Sequence, residues 1–419
     1  MSSSTTVPRR SSSRTLRRVL ILADESAEWQ IAGLRQLDRL LLSLGEHATT
    51  EQLEEPVTVC VFWNTSVAPE ARRMPRATYH GIEISDRAEE FLADERAIDL
   101  VVDTRLLPYR GSIPELLAHL PAPVGVEANC AGLWQNHAMR FAADLKGTGR
   151  TLQLDPPWRY VSSAREIPDC ERSFLGRAGK TQDGLASRYV NRPLSRTLSR
   201  WLLKLPLTPS TWSVLIFALP IAGALFLCRG TYAGFLIGFA IFQLYSILDG
   251  CDGEIARAKF LQTEFGRRLD SLLDLTGNVL LALGLGIGLE RQTPGVGWFY
   301  FTEGVAAAAL TLTSEGIVFL RRSRASSTGP TGRWNGVLYQ RHHELVARSG
   351  ILCIGENLAW WLVQLTKRDM AMLAFLVFAA IGLAEVNLHL LFVVGAISSA
   401  LASNAFLRQP APAVAQEAS

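Results

Sequence analysis

Four aspartates near the middle of the chain have the spacing of two facing carboxylate pairs. Asp249 and Asp252 are three residues apart, and Asp270 and Asp274 are four apart. Residues three or four apart lie on one face of a helix, so two helices can each turn a pair toward a common point. Carboxylates gathered in this way repel one another and lose solvation. Because hard divalent cations such as magnesium prefer carboxylate oxygens, the spacing indicates a metal site.

The residues around the aspartates extend this spacing into a longer pattern. Residues 249–274 read D-x2-D-G-x2-A-R-x8-G-x3-D-x3-D. The pattern resembles, without a gap, the signature of the CDP-alcohol phosphotransferase family, and the resemblance extends from about residue 188 to residue 408. Members of that family are integral membrane enzymes that split a CDP-linked donor, release CMP and pass the phospho-alcohol to a hydroxyl.

The resemblance implies roles for the four carboxylates. Asp249, Asp252 and Asp270 hold metal, and Asp274 lies near a second ion. Asp274 is also the candidate base that takes the proton of the acceptor hydroxyl. The cofactors implied are two Mg²⁺ or Mn²⁺ ions, which neutralise the attacking and leaving oxygens.

Small residues of the pattern are expected to lie beside the nucleotide. Gly253, Ala256 and Gly266 would let it approach the helix backbone, although close helix packing is an alternative for Ala256. Ser210 stands where the family usually has Asn after Pro. We expect its hydroxyl to replace part of the hydrogen bonding of that Asn.

Basic residues of the pattern are the candidate ligands for phosphate. Arg257 would face either the substrate or a lipid phosphate. Arg267 and Arg268 are candidates for binding an acceptor phosphate. Asn278, one turn beyond Asp274, is a candidate for lining the acceptor pocket.

Apolar residues are concentrated in the second half of the chain. Of 419 residues, 48% are hydrophobic and 19% are charged, and long apolar runs begin after about residue 200. A membrane span needs about twenty mainly apolar residues. The candidates are 208–228, 232–257, 264–289, 298–320, 369–383 (the shortest) and 388–407. The sequence therefore predicts an α-helical membrane domain with six transmembrane helices at 208–408, the number that the resemblance also implies.

Lys and Arg are unevenly distributed among the predicted loops. Four lie around the turn between the second and third spans, and eight lie between Arg321 and Arg368, whereas the opposite side holds Arg229 and Arg291. The positive-inside rule places the aspartates, the N-terminal region and both termini in the cytoplasm. We expect a prokaryotic inner membrane. Residues 176–207, with Tyr189 and Trp201 among five basic residues, are predicted to be a linker and an interfacial amphipathic helix, with a soluble linker helix as the alternative.

Residues 17–175 read as a separate α/β domain, here called the head. Val19–Ala23, Val57–Phe62 and Ile98–Asp103 have the composition of buried strands, and Ile31–Leu44 that of the first helix. Strands spaced in this way predict a parallel sheet. The opening of the head and its end at 158–175 resemble sugar-nucleotidyltransferases. The flanking segments 1–16 and 409–419 are predicted to be tails, the first of them disordered.

The phosphate-binding loop of the head departs from the nucleotidyltransferase pattern. That class has a Gly-rich loop after the first strand, whereas the segment Asp24–Glu28 has no glycine and carries carboxylates that repel phosphate. Asp103 is the candidate for the family's metal-binding Asp, although an Asp at a strand end is usually structural. We therefore predict a catalytically inactive head that serves stability, oligomerisation (as a homodimer) or regulation.

The two parts together resemble a fused family, inositol-phosphate cytidylyltransferase joined to di-inositol-phosphate-phosphate synthase; the shared stretch includes Asp183–Arg192. With an inactive head, the donor (CDP-diacylglycerol or a CDP-polyol) comes from elsewhere, and the acceptor is an alcohol or a polyol phosphate. Phospholipid or inositol-phosphodiester synthesis is the expected setting. The alternatives are an active head, which would make the protein bifunctional, and a non-catalytic membrane scaffold. A transporter would not need the D-G-x2-A-R-x8-G pattern, and the net charge of +3 is too small to suggest nucleic acid.

Overall fold

A computed structural model of the protein describes residues 16–73, 79–85, 88–94, 98–119, 158–177, 185–324, 350–365 and 367–407. The chain forms two compact units. The first comprises residues 1–178 with 257–260, and the second comprises residues 179–256 with 261–419. Almost all of both predicted tails lies outside the described residues.

A four-stranded parallel sheet forms the centre of the first unit. The strands in chain order are β1 (Arg18–Ala23), β2 (Gln30–Ile31), β3 (Leu34–Arg35), β4 (Val57–Trp63), β5 (Ile82–Ser85), β6 (Leu100–Asp103), β7 (Leu106–Pro108) and β8 (Trp158–Tyr160). The sheet has the order β5-β4-β1-β6, and Ile21 in β1 is in register with Val61 and Val102. The pairs β2–β3 and β7–β8 are antiparallel. The three predicted strands and their parallel arrangement are confirmed.

Helices make up the rest of the regular structure among the described residues of the first unit. They are α1 (Gln36–Thr50), α2 (Ala88–Ala93), α3 (Ile113–His119) and α4 (Ile167–Arg177), with short 3₁₀ helices at Glu25–Glu28, Pro69–Ala71 and Ala164–Glu166. Leu37, Leu40 and Leu44 of α1 share a core with Val19 and Ile21. The predicted start of the first helix was wrong. The chain forms the β2–β3 hairpin first, because two consecutive turn residues have positive φ, 49° and 71°, which a helix excludes.

The regular structure of the second unit, among its described residues, consists of helices. After a π-helical turn at Ser187–Asn191, its helices are α5 (Arg192–Leu202), α6 (Pro209–Ile216), α7 (Ala218–Leu227), α8 (Tyr232–Ala258), α9 (Glu264–Gln292), α10 (Phe299–Arg324), α11 (Glu356–Leu365), α12 (Arg368–Ala380) and α13 (Ala384–Leu407), with a 3₁₀ turn at Ile351–Ile354. Among the described residues, four stretches are long and apolar enough to cross a membrane. They are Pro209–Leu227, Tyr232–Ala258, Glu264–Gln292 and Ala384–Ala405. The length and apolar composition of these helices indicate an integral membrane protein.

Two of the six predicted spans form helices that are not among the four stretches long and apolar enough to cross a membrane. The fourth corresponds to α10, which has 26 residues. The fifth corresponds to α12, which has 13 residues. At about 1.5 Å per residue, α12 is about 20 Å long, shorter than the roughly 30 Å hydrocarbon core. The count of six spans stays a prediction.

Glycines let α9 and α10 approach closely. A Cβ placed on Gly304 would lie 2.9 Å from the carbonyl oxygen of Ala282 and 3.0 Å from the Cα of Gly286. Small residues at such positions allow the backbones of membrane helices to come into contact. This contact fixes α9, the helix that carries Asp270 and Asp274, against its neighbour.

Candidate metal and substrate site

Three of the four predicted metal ligands come together in the second unit. Asp249 on α8 and Asp270 and Asp274 on α9 each offer a carboxylate oxygen, and these oxygens all lie within 4.8 Å of one another. The start of α9 is set by Thr263, whose side-chain oxygen accepts a hydrogen bond of 3.0 Å from the Gly266 amide. This cap fixes the register at which α9 presents its aspartates.

The fourth aspartate has a different environment. Asp252 lies on α8, and the Ser213 hydroxyl of α6 donates a 2.5 Å hydrogen bond to its Oδ2. Asp252 is not part of the group of three. Its role as a metal ligand stays a prediction.

Sequence reasoning missed Arg368, the first residue of α12. Its guanidinium forms ion pairs with Asp274 and, at 3.9 Å, with Asp249, and it stacks 4.7 Å from the centre of the Tyr245 ring. The Tyr245 hydroxyl also lies 3.4 Å from Oδ1 of Asp274. In the sequence, Arg368 is one of eight basic residues in a long segment, and nothing in its spacing relates it to the aspartates.

The charges of this site fit a divalent cation. Asp249, Asp270 and Asp274 carry three negative charges when ionised, and the Arg368 guanidinium lies beside two of these carboxylates. All three carboxylates are partly buried, so solvent screens their repulsion incompletely. Clustered carboxylate oxygens match the preference of Mg²⁺ or Mn²⁺ for hard oxygen ligands.

Ser210 and Gly266, both predicted to bind substrate, lie next to each other. A Cβ on Gly266 would be 3.4 Å from the Ser210 hydroxyl and 3.1 Å from the Thr263 hydroxyl. The α9 backbone at Gly266 is therefore close to the start of α6. Binding of substrate by this pair stays a prediction.

The remaining predicted substrate residues are spread over α8 and the first turn of α9. Gly253 and Arg257 are half-buried and Ala256 is buried. Arg267 and Arg268 are exposed and both pair with Glu264, at 2.6 Å and 3.0 Å. Exposed pairs of this kind contribute little to stability, so both guanidinium groups can change partner at low cost.

Asn278 has a structural partner. Its side-chain amide donates a 2.9 Å hydrogen bond to Oε1 of Glu315 and so links α9 to α10. This contact accounts for a polar residue inside an apolar span. Its predicted place in an acceptor pocket stays a prediction.

In the head, the carboxylates at the ends of β1 and β6 accept hydrogen bonds from other residues of the head. Asp24 accepts hydrogen bonds of 2.8 Å from the Ser26 amide and from Arg105 Nε. Asp103 accepts 2.9 Å bonds from the Arg105 amide and the Tyr160 hydroxyl. Burial raises the pKa of Asp103 to about 6, although both hydrogen bonds act in the opposite direction. A buried carboxylate whose two oxygens both accept hydrogen bonds is poorly placed to hold a metal.

Comparison with known proteins identifies the class to which this site belongs. Residues 206–338 match the model of the CDP-alcohol phosphatidyltransferase family. All four aspartates lie inside the matched segment. The predicted resemblance is confirmed, and the second unit carries a CDP-alcohol phosphatidyltransferase domain.

Similar curated proteins share the description "Bifunctional IPC transferase and DIPP synthase". The protein from Rubrobacter xylanophilus is 40% identical over 132 residues, which cover 32% of this chain and 30% of the relative. That from Thermococcus kodakarensis is 37% identical over 118 residues, 28% of this chain and 26% of the relative. That from Aquifex aeolicus is 31% identical over 144 residues, which cover 34% of this chain and 32% of the relative. The chain thus matches about a third of the length of these relatives.

Proposed function

We propose that the protein is a membrane CDP-alcohol phosphotransferase that moves a phospho-alcohol from a CDP-linked donor to an alcohol hydroxyl and releases CMP. The observation that carries this proposal is the gathering of Asp249, Asp270 and Asp274 within 4.8 Å, inside the segment that matches the family model. The setting is phospholipid or inositol-phosphodiester synthesis. The second of these is supported by the description of the relatives as bifunctional IPC transferase and DIPP synthase.

The carboxylates supply both the metal ligands and the base. Asp249, Asp252 and Asp270 would hold the metal, with Asp274 near a second ion. Bound Mg²⁺ or Mn²⁺ supplies positive charge for the donor pyrophosphate and the departing CMP. Tyr245 and Arg368 both contact Oδ1 of Asp274. This arrangement orients the carboxylate and leaves Oδ2 to take the proton of the acceptor hydroxyl.

The substrates follow from the same reaction. The donor is CDP-diacylglycerol or a CDP-polyol, and the acceptor is an alcohol or a polyol phosphate. Ser210, Gly253, Ala256, Arg257 and Gly266 are proposed to contact the donor. Arg267 and Arg268, at the start of α9, are proposed to contact an acceptor phosphate.

The proposed organisation has an inactive nucleotidyltransferase-like head at 17–175, an interfacial helix within 176–207 and a six-helix membrane domain at 208–408. The aspartates and both termini face the cytoplasm of a prokaryotic inner membrane, because basic residues are concentrated on that side. The head is proposed to contribute to a homodimer.

An active head is the second candidate, which would make the protein bifunctional. It is favoured by the description of the relatives as bifunctional. The two candidates differ in one reaction: only an active head forms a CDP-alcohol and pyrophosphate from CTP and a polyol phosphate.

The test uses the purified protein in lipid nanodiscs. Candidate CDP donors and polyols are added with Mg²⁺ or Mn²⁺, CMP is quantified, and lipids and soluble phosphodiesters are identified by mass spectrometry. We expect CMP and a new phosphodiester in equal amounts, and loss of both with a chelator. The Asp270→Asn protein is the matched control for contaminating enzymes. Full activity in excess chelator contradicts the metal site, and absence of CMP with every donor contradicts the transferase.

A further inference from the structure

Glu254 is a charged residue buried completely in the middle of the aspartate pattern. Its exposed fraction is 0%. Oε1 accepts hydrogen bonds from Arg192 Nη1 at 3.0 Å and from the Ser195 hydroxyl at 2.8 Å. Oε2 accepts one from the Ser199 hydroxyl at 2.7 Å. The three donors are three and four residues apart on α5 and so share one face.

The same face of α8 meets this part of the chain along several turns. Gln243 donates to the Asn191 side chain at 2.9 Å, and the Asn191 amide donates to Ser246 at 3.2 Å. A Cβ on Gly250 would lie 3.3 Å from Arg192 Nη1, so α5 lies against the α8 backbone there. The α8 residues in this seam recur every three or four positions: 243, 246, 250 and 254.

The two α8 aspartates lie outside this seam, and Asp252 lies on the side of α8 opposite Glu254. Each residue of an α-helix is rotated by about 100° from the previous one. Glu254 is two residues from Asp252, so the two side chains point to nearly opposite sides. Asp249 is three residues from both Asp252 and Ser246, so it lies on the flank between the Asp252 side and the seam. α5 therefore supports α8 on the side away from Asp252 and next to Asp249.

We propose that Arg192 and Glu254 are positioning residues whose buried ion pair fixes the rotation and depth of α8, so that Asp249 and Asp252 hold a divalent cation. The inference rests on the metal site of the proposed function. Ligands must be held within about 0.5 Å of their working geometry. Replacing one partner leaves a buried charge uncompensated, which favours displacement of α5 from α8.

The test measures metal binding without any donor. Free Mn²⁺ is quantified by electron paramagnetic resonance during titration of the purified protein in nanodiscs. Glu254→Gln and Arg192→Gln should each weaken Mn²⁺ binding about tenfold or more, the range for residues that orient metal ligands. The double variant should bind about as tightly as the single variants, because the two residues act as a pair. Arg192→Lys, which keeps the charge, should retain most of the affinity.

Arg188→Gln is the matched control. It removes an exposed guanidinium just before α5 and should leave Mn²⁺ affinity unchanged. Unchanged affinity in folded Glu254→Gln and Arg192→Gln proteins overturns the inference while the proposed function stands. If both variants fail to fold, Ser199→Ala removes a single hydrogen bond to Glu254, and unchanged affinity in that protein overturns the inference as well. A wild-type protein that binds no Mn²⁺ overturns the metal site and the inference together.

Discussion

Each carboxylate of the site is held by different neighbours, and these contacts suggest different roles. Asp252 accepts a hydrogen bond from Ser213 on α6, whereas Asp274 is held by Tyr245 and Arg368. We therefore expect Asp252 to serve metal binding and Asp274, whose Oδ1 is oriented by two neighbours, to serve proton transfer.

Substitution of the two aspartates should separate these roles. Asp252→Asn should weaken Mn²⁺ binding and donor binding together. Asp274→Asn should leave donor binding largely intact while lowering turnover by about 10²-fold or more, as expected for a lost general base. Donor affinity is measured by equilibrium binding and turnover by CMP release. An equal loss of donor affinity in both variants would identify Asp274 as a ligand only.

Arg368 pairs with two of the carboxylates, so we expect it to compete with cations for them. Arg368→Gln removes the positive charge near Asp249 and Asp274, so Mn²⁺ affinity in the donor-free protein should rise by about tenfold, because the repulsion between two nearby positive charges is lost. Turnover should fall, because the arginine no longer orients Asp274.

Electron paramagnetic resonance of free Mn²⁺ measures the first effect and CMP release the second. Arg188→Gln is the control, because that exposed guanidinium lies just before α5 and outside the proposed metal and substrate site. Weaker Mn²⁺ binding in Arg368→Gln would show that the arginine supports the metal rather than opposing it.

Helix contacts place the carboxylates, and the contact between α9 and α10 depends on space for backbone atoms. Gly304 has no room for a Cβ, whereas a Cβ on Gly316 of the same helix meets nothing within 4 Å among the described residues. The two glycines therefore form a matched pair, because Ala raises helix propensity at both.

Gly304→Ala and Gly316→Ala should change stability in opposite directions. The first forces α9 and α10 apart and should cost about 1–3 kcal/mol, the range for overpacked sites. The second should stabilise the protein by up to about 1 kcal/mol. The unfolding midpoint in detergent is followed by intrinsic fluorescence. Equal midpoints would mean that the helices separate at Gly304 without cost.

The head accounts for much of the chain outside the matched segment, and its own contacts argue against nucleotide chemistry. Asp24 and Asp103 both bond within the head, to Arg105 and Tyr160 among others. The loop that would have to hold the phosphates is a 3₁₀ helix, Glu25–Glu28, with an acidic residue at each end.

Purified full-length protein should therefore make no CDP-alcohol from CTP and a polyol phosphate. The expected cause is repulsion between the carboxylates of Asp24–Glu28 and a triphosphate. Pyrophosphate release is measured with CTP, Mg²⁺ and candidate polyol phosphates, and CMP release from a supplied CDP donor serves as the positive control in the same preparation. Pyrophosphate formation above that of a protein-free reaction would show that the head is active.

Features that depend on neighbours one turn apart could be predicted from the sequence. Spacings of three and four placed each aspartate pair on one face of its helix, and the strands of the head could be found because burial on both sides leaves continuous apolar runs. The contacts between distant residues could not be predicted in this way, and Asp252 lies outside the group that Asp249, Asp270 and Asp274 form. Arg368 is 94 residues from Asp274, and Arg192 is 62 residues from Glu254. Periodicity holds no information at such separations, because packing between helices rather than rotation within one helix brings those side chains together.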